Sequence, residues 1–216
     1  MNEIRSHLVD NLGFPLEAEV YLPTNRARRA IVLCHPHPLL GGSMNDPIVA
    51  SCAKNLRDSD TAVVRFNFRG VGASKGGRGK YHQGERPLMA GSQPETYDLI
   101  AVTNWISHVA QTKQLFMIGY SFGANVVWNS LPSLDFEKAI LIAPPTAVMP
   151  FRTLDETFHD RVVSIVCEED HFFDREECER SPSSQVVILA GGDHFFSGRV
   201  SMLIEEIKTA CARPID

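Results

Sequence analysis

The sequence predicts an α/β fold in which a doubly wound, mostly parallel sheet is flanked by helices. Two observations carry that prediction. Short apolar, β-rich runs alternate with longer segments of helical periodicity, and most of the short runs show no in–out alternation. A run that is apolar at consecutive positions fits a strand covered on both faces, the environment of a parallel sheet. Crossovers between parallel strands are right-handed in nearly all cases, so the intervening helices wind over both faces.

Taken in order, Glu17 to Leu22 alternates and reads as an antiparallel edge strand. Ala30 to Cys34 and Ala62 to Phe66 are continuous apolar strands. Ser92-Gln93-Pro94-Glu95 then has capping-box spacing, with proline in the first turn where its missing N–H costs little. It opens a helix along which Leu99, Val102, Ile106 and Val109 recur at helical intervals. Leu115 to Ile118 is the next strand, followed by a helix over Ala124 to Leu131 that Pro132 stops. Strands at Ala139 to Ile142, Val162 to Val166 and Val186 to Leu189 come next. Val200, Leu203, Ile204, Ile207 and Cys211 form the apolar face of a last helix. No repeat or linker interrupts the series, and 216 residues suit one unit, so residues 1–216 read as a single domain.

Composition removes several function classes. A net charge of −5 without a basic run argues against nucleic acid as a partner. No apolar stretch approaches the roughly 20 residues of a bilayer span, and Met1 to Leu8 lacks the apolar centre of a secretory signal. The cysteines (Cys34, Cys52, Cys167, Cys178, Cys211) are odd in number and never spaced C-x-x-C, so reduced, buried thiols are expected. These features predict a soluble cytoplasmic protein with no membrane partner. Nothing in them sets an oligomeric state.

In an open parallel sheet, ligands sit beyond the carboxyl ends of the strands. There the chain places His35-Pro36-His37-Pro38-Leu39-Leu40, Gly119-Tyr120-Ser121-Phe122-Gly123, Cys167-Glu168-Glu169-Asp170 and Gly191-Gly192-Asp193-His194. Gly119-x-Ser121-x-Gly123, between a strand and a helix, matches the nucleophile-elbow pattern. A serine hydroxyl needs an adjacent base, and the order on such an elbow is serine, acid, histidine. His194 follows the last strand and is the expected base. His159 precedes a strand, at the wrong end of the sheet, and His171 shares the acid's loop. Asp170 is the first choice to orient the imidazole, with Glu168, Glu169 and Asp174 on the same loop; Asp193 adjoins the histidine too closely. The oxyanion needs two N–H donors. One is the backbone of Phe122, and the other is His37, Leu39 or Leu40, with His37 favoured.

Competing patterns fail. His35-x-His37 looks like a chelating pair, but adjacent prolines splay the rings, so no metal and no cofactor is expected. Gly72 to Tyr81 is Gly- and Lys-rich yet lacks the Walker spacing, and reads as a loop near the site mouth with Arg69 structural. Phe172-Phe173 and Phe195-Phe196 are candidates for an acyl pocket.

The blocks HPHPLLGGSMND, RFNFRGVGASKG, GYSFGA and GGDHFFSGR resemble the small, capless α/β-hydrolases related to dienelactone hydrolases, over about residues 17 to 210. The resemblance implies an α/β-hydrolase fold and a Ser121–Asp170–His194 triad, with the Phe122 and His37 amides at the oxyanion. Two departures stand out: the acid loop opens with Cys167 where such enzymes usually have glycine, and Ser121 replaces the cysteine of dienelactone hydrolases proper. Pro144 to Arg161 is too short for a cap domain. The expected activity is hydrolysis of a small-molecule acyl substrate, an ester or thioester. The alternatives are a non-catalytic binding protein of the same fold and an acyltransferase using the same residues.

Overall fold

The computed structural model describes residues 2–9, 15–76, 93–180 and 185–212. The strands are β1 (Asn2–Val9), β2 (Pro15–Leu22), β3 (Arg29–Cys34), β4 (Thr61–Phe66), β5 (Leu115–Tyr120), β6 (Lys138–Ile142), β7 (Val162–Cys167) and β8 (Gln185–Leu189). The helices are α1 (Pro47–Asn55), α2 (Gln93–Ala110), α3 (Phe122–Ser130), α4 (Arg175–Arg180) and α5 (Val200–Ala212). All strands join one eight-stranded sheet in the order β1-β2-β4-β3-β5-β6-β7-β8. From β4 to β8 neighbouring strands run parallel, and β2 runs antiparallel to both β4 and β1.

The continuous apolar runs are explained by two cores, one on each face of the sheet. Along β3, Ala30, Val32 and Cys34 belong to one core while Ile31 and Leu33 belong to the other. In β6, Ala139 and Leu141 divide in the same way from Ile140 and Ile142. Leu99, Val102 and Ile106 of α2, with Val126 and Val127 of α3, cover the first face. Ile48 and Val49 of α1, with Leu203, Ile204 and Ile207 of α5, cover the second.

Several expectations need correction. β2 is antiparallel as predicted but is not an edge, because β1 pairs along its whole length from Asn2↔Leu22 to Val9↔Pro15. β8, expected to be covered on both faces, lies at the end of the sheet with only Leu189 buried along it. Val109 falls on the solvent side of α2, whose other three periodic residues are buried. α3 begins two residues earlier than predicted, at Phe122, and gives way to a 3-10 turn at Leu131–Ser133 that contains Pro132. Ser92, and with it the capping box, lies outside the described residues, as does the Tyr81 end of the glycine-rich loop.

Behind the carboxyl ends of β3 and β4, buried polar groups hold the loops in place. His35 Nδ1–H donates to the Pro36 carbonyl at 2.7 Å, and Nε2 accepts the Phe68 N–H at 3.1 Å. Burial pushes the His35 imidazole down to about 4, so it is neutral, and both nitrogens serve the backbone rather than a metal. Asn67 accepts the Met44 N–H at 2.8 Å, while Arg65 donates to the Met44 carbonyl at 3.0 Å and to Glu19. Arg69, expected to be structural, meets the buried Asp98 of α2 through its guanidinium and its backbone N–H.

Candidate active site

Ser121 joins β5 to α3 with φ 53° and ψ −114°, a conformation a non-glycine residue holds only when its surroundings fix it. Its N–H donates to the Ile142 carbonyl of β6 at 2.8 Å. The flanking glycines are required by close approach. A Cβ on Gly123 would lie 2.5 Å from the Cys34 carbonyl oxygen, and one on Gly119 would meet the Gly123 carbonyl.

The loops after β7 and β8 bring Asp170 and His194 to this serine. His194 Nε2 lies 2.9 Å from Ser121 Oγ, and its Nδ1 lies 3.0 and 2.9 Å from the two Asp170 oxygens. With the ring proton on Nδ1, that nitrogen donates to the carboxylate and Nε2 accepts from the serine hydroxyl. The Asp170 side chain is fully buried, and its Oδ1 also accepts the Phe172 N–H at 2.9 Å. Glu169 N–H donates to the Gly192 carbonyl, tying the acid loop to the histidine loop.

The other acids considered have separate tasks. Asp174 accepts the Glu177 N–H at 3.1 Å ahead of α4, and Glu168 accepts the Gly191 N–H at 3.0 Å. Asp193 accepts from the Phe195 and Ser197 backbone and from the Ser197 hydroxyl, shaping the turn that leads to α5.

Phe122 is the first residue of α3, so its N–H has no carbonyl one turn back to bond within the helix. On the facing loop, the Leu39 N–H goes to His37 Nδ1 at 3.1 Å and the Leu40 N–H to the His37 carbonyl at 3.0 Å. Those two amides are spent inside the 3-10 turn Pro38–Leu40, which narrows the second oxyanion candidate to His37. The His37 and Phe122 rings pack edge-on at 4.8 Å and hold the two segments side by side.

A pocket of about 180 Å³ opens beside Ser121. Phe172 and Phe195 line it, one from each phenylalanine pair singled out in the sequence, while Phe196 is fully buried in the second core. Leu40 and Phe195 stand at its mouth with 71% and 66% of their surface exposed. Sequence reasoning missed Pro145, Val148 and Met149, which come from the stretch judged too short for a cap and form a wall instead. It also missed Asp46, whose place before Pro47 is a helix-start signal. Tyr120 borders the pocket as well. Burial, and then the charges of Asp46, Asp170 and Asp193, push its phenol up, and the neutral hydroxyl donates to the His194 carbonyl at 3.2 Å.

Fold and site together define the class: this is an α/β-hydrolase fold with a serine at the elbow. Within that class the chain is a structural homologue of serine hydrolases that lack a lid. It superposes on XC6422 from Xanthomonas campestris, a lidless α/β serine hydrolase, at a TM-score of 0.81 with 27% identity, covering 97% of this chain and 94% of the other. An α/β serine hydrolase homologue from Coxiella burnetii gives a TM-score of 0.74 and 27% identity over 96% of both chains. By sequence, the uncharacterized protein RP471 of Rickettsia prowazekii is 40% identical over 118 residues, which is 54% of this chain and 44% of that protein. This chain thus matches less than half the length of that relative. No family model matches the chain. The structural relatives support a hydrolytic enzyme.

Proposed function

We propose that this chain is a cytoplasmic serine hydrolase that cleaves a small carboxylic ester or thioester, with Ser121 as nucleophile, His194 as general base and Asp170 as the orienting acid. The supporting observation is the unbroken hydrogen-bonded series from Asp170 through His194 to Ser121, at the edge of the sheet where such folds bind ligands. Ser121 Oγ attacks the carbonyl carbon as its proton passes to His194 Nε2, and the Phe122 and His37 amides receive the oxyanion. The imidazolium then returns the proton to the departing alkoxide or thiolate. Water, deprotonated by the same nitrogen, attacks the acyl-serine, and the carboxylic acid leaves with Ser121 restored.

A pocket of about 180 Å³ is smaller than the roughly 300–1,000 Å³ of sites for drug-sized ligands, which favours a short chain or single ring in it. The five thiols, all buried and free of disulfides, suit a reducing compartment. Neither metal nor cofactor is required by this chemistry.

The test is turnover of a panel of short aryl esters and acyl thioesters by wild type and Ser121→Ala. Wild type is expected to exceed the buffer rate by orders of magnitude, with Ser121→Ala losing about 10³-fold or more. Equal rates in the two proteins would overturn the proposal.

A further inference from the structure

The pocket beside Ser121 is walled mostly by apolar groups, Leu40, Met149, Phe172 and Phe195 among them, and one carboxylate, Asp46, shares that wall. Among the described residues neither lysine nor arginine lines it. Asp46 is the N-cap of α1, where Oδ1 accepts the Ile48 N–H at 2.9 Å and the Val49 N–H at 3.5 Å. Its other carboxylate oxygen has no partner among the described residues.

Capping does not account for the charge. Asparagine and serine cap a helix about as well as aspartate, and the dipole adds only a modest gain. Burial works against the charge and raises the Asp46 carboxyl above its ordinary range. An anionic oxygen at a mostly apolar wall, without a partner among the described residues, is matched when the ligand brings a cation or a strong donor. Tyr120 lines the same pocket, and its phenol is pushed up first by burial and then by the charges of Asp46, Asp170 and Asp193.

We propose that Asp46 is a specificity-determining residue that selects substrates carrying an ammonium-type cation on the half that enters this pocket, and rejects those carrying a carboxylate there. The assignment rests on the hydrolase reading above. Whether that half is the acyl or the alcohol part is decided by the arms of the test.

One arm compares p-nitrophenyl esters of matched acyl length ending in trimethylammonium, methyl or carboxylate. The other compares hexanoylcholine with its uncharged carbon isostere. Each is measured with wild type and Asp46→Asn, which keeps a capping acceptor, and each protein is normalised to its own neutral ester. In wild type, in the arm that reaches the pocket, the cationic ester is expected to lead the neutral one by about tenfold in kcat/KM. If that is the acyl arm, the anionic ester trails by a similar factor. In Asp46→Asn the ratios are expected to return to within about twofold of unity. Ratios near unity in wild type, or unchanged in the variant, overturn the assignment. Asp46→Ser, also a good cap, replaces the asparagine variant if that one does not fold.

A second measurement needs no turnover: binding of hexyltrimethylammonium, hexanol and hexanoate to Ser121→Ala and to Ser121→Ala/Asp46→Asn, followed by backbone amide chemical shifts. The same order, lost with Asp46→Asn, is expected. If wild type hydrolyses no ester while Ser121→Ala still prefers the ammonium, the hydrolase reading fails, and with it substrate selection, while the preference of the Asp46 pocket for a cation stands. If esters are cleaved and bound without regard to charge, the Asp46 assignment fails alone.

Discussion

In the proposed mechanism the His194 imidazole takes a proton from Ser121 and becomes cationic among the rings of Tyr120, Phe172 and Phe195, with the buried Asp170 carboxylate bonded to its other nitrogen and placed to balance that charge. Asp174, four residues on, is spent on the first turn of α4. Asp170→Asn is therefore expected to lower kcat/KM by about 10³–10⁴-fold, while Asp174→Asn, which keeps a cap acceptor, stays within about twofold. Initial rates on one aryl ester check both; the reverse order would move the acid by four residues. Ser121 and His194 were legible in the sequence because each follows an apolar run with glycines beside it. The choice among four acids on one loop was not. It depends on a turn, closed by the Asp170 N–H on the Cys167 carbonyl, that spacing alone does not encode. The same holds for the second oxyanion donor, narrowed only by where the Leu39 and Leu40 amides point.

The loops after β3 and β4 depend on His35, which is fully buried and bonded through both nitrogens. Folded, its imidazole is lowered by burial from an ordinary value of 6.5 to about 4. Between those values the unfolded chain holds the extra proton, so stability is complete above about pH 6.5 and declines as pH falls toward about 4, by about 3 kcal/mol in all. Urea midpoints measured from about pH 7 to about pH 4.5 are expected to fall for wild type and to follow a shallower slope for His35→Gln. An equal slope in the variant would remove His35 as the cause. The elements that surround this tie were read from the sequence with uneven success. Continuous apolar runs such as β3 and β6 were plain, since each alternates between two cores and shows an apolar side chain to both. β1 went unread because Asn2–Val9 is polar at most positions, so it carries neither a continuous apolar run nor a clean alternation. β8 misled because its valines and isoleucine mark strand but not coverage, and among the described residues no strand pairs with its outer side. α1 was overlooked although Asp46-Pro47 announces its start.

At the scale of the molecule, the parallel strands β3, β5, β7 and β8 all end at one edge, which is why residues as far apart as His37, Ser121, Asp170 and His194 meet there. That convergence was legible from strand order alone, whereas the pocket was not: its wall borrows Pro145, Val148 and Met149 from a connecting stretch with no periodic signal. Among the described residues no lid covers the site, and exposed Leu40 and Phe195 stand at its mouth. Among the described residues no helix is long and apolar enough to cross a membrane. What unites these features is a serine hydrogen-bonded to a histidine beside an open pocket, which the proposed function reads as an activated nucleophile. The most direct measurement is fluorophosphonate labelling followed by peptide mass mapping, on wild type, Ser121→Ala and His194→Ala. Rapid labelling confined to Ser121, and lost in both variants while they remain folded, is the predicted result. Folded wild type that takes no label, or label that persists in His194→Ala at the wild-type rate, would contradict the account.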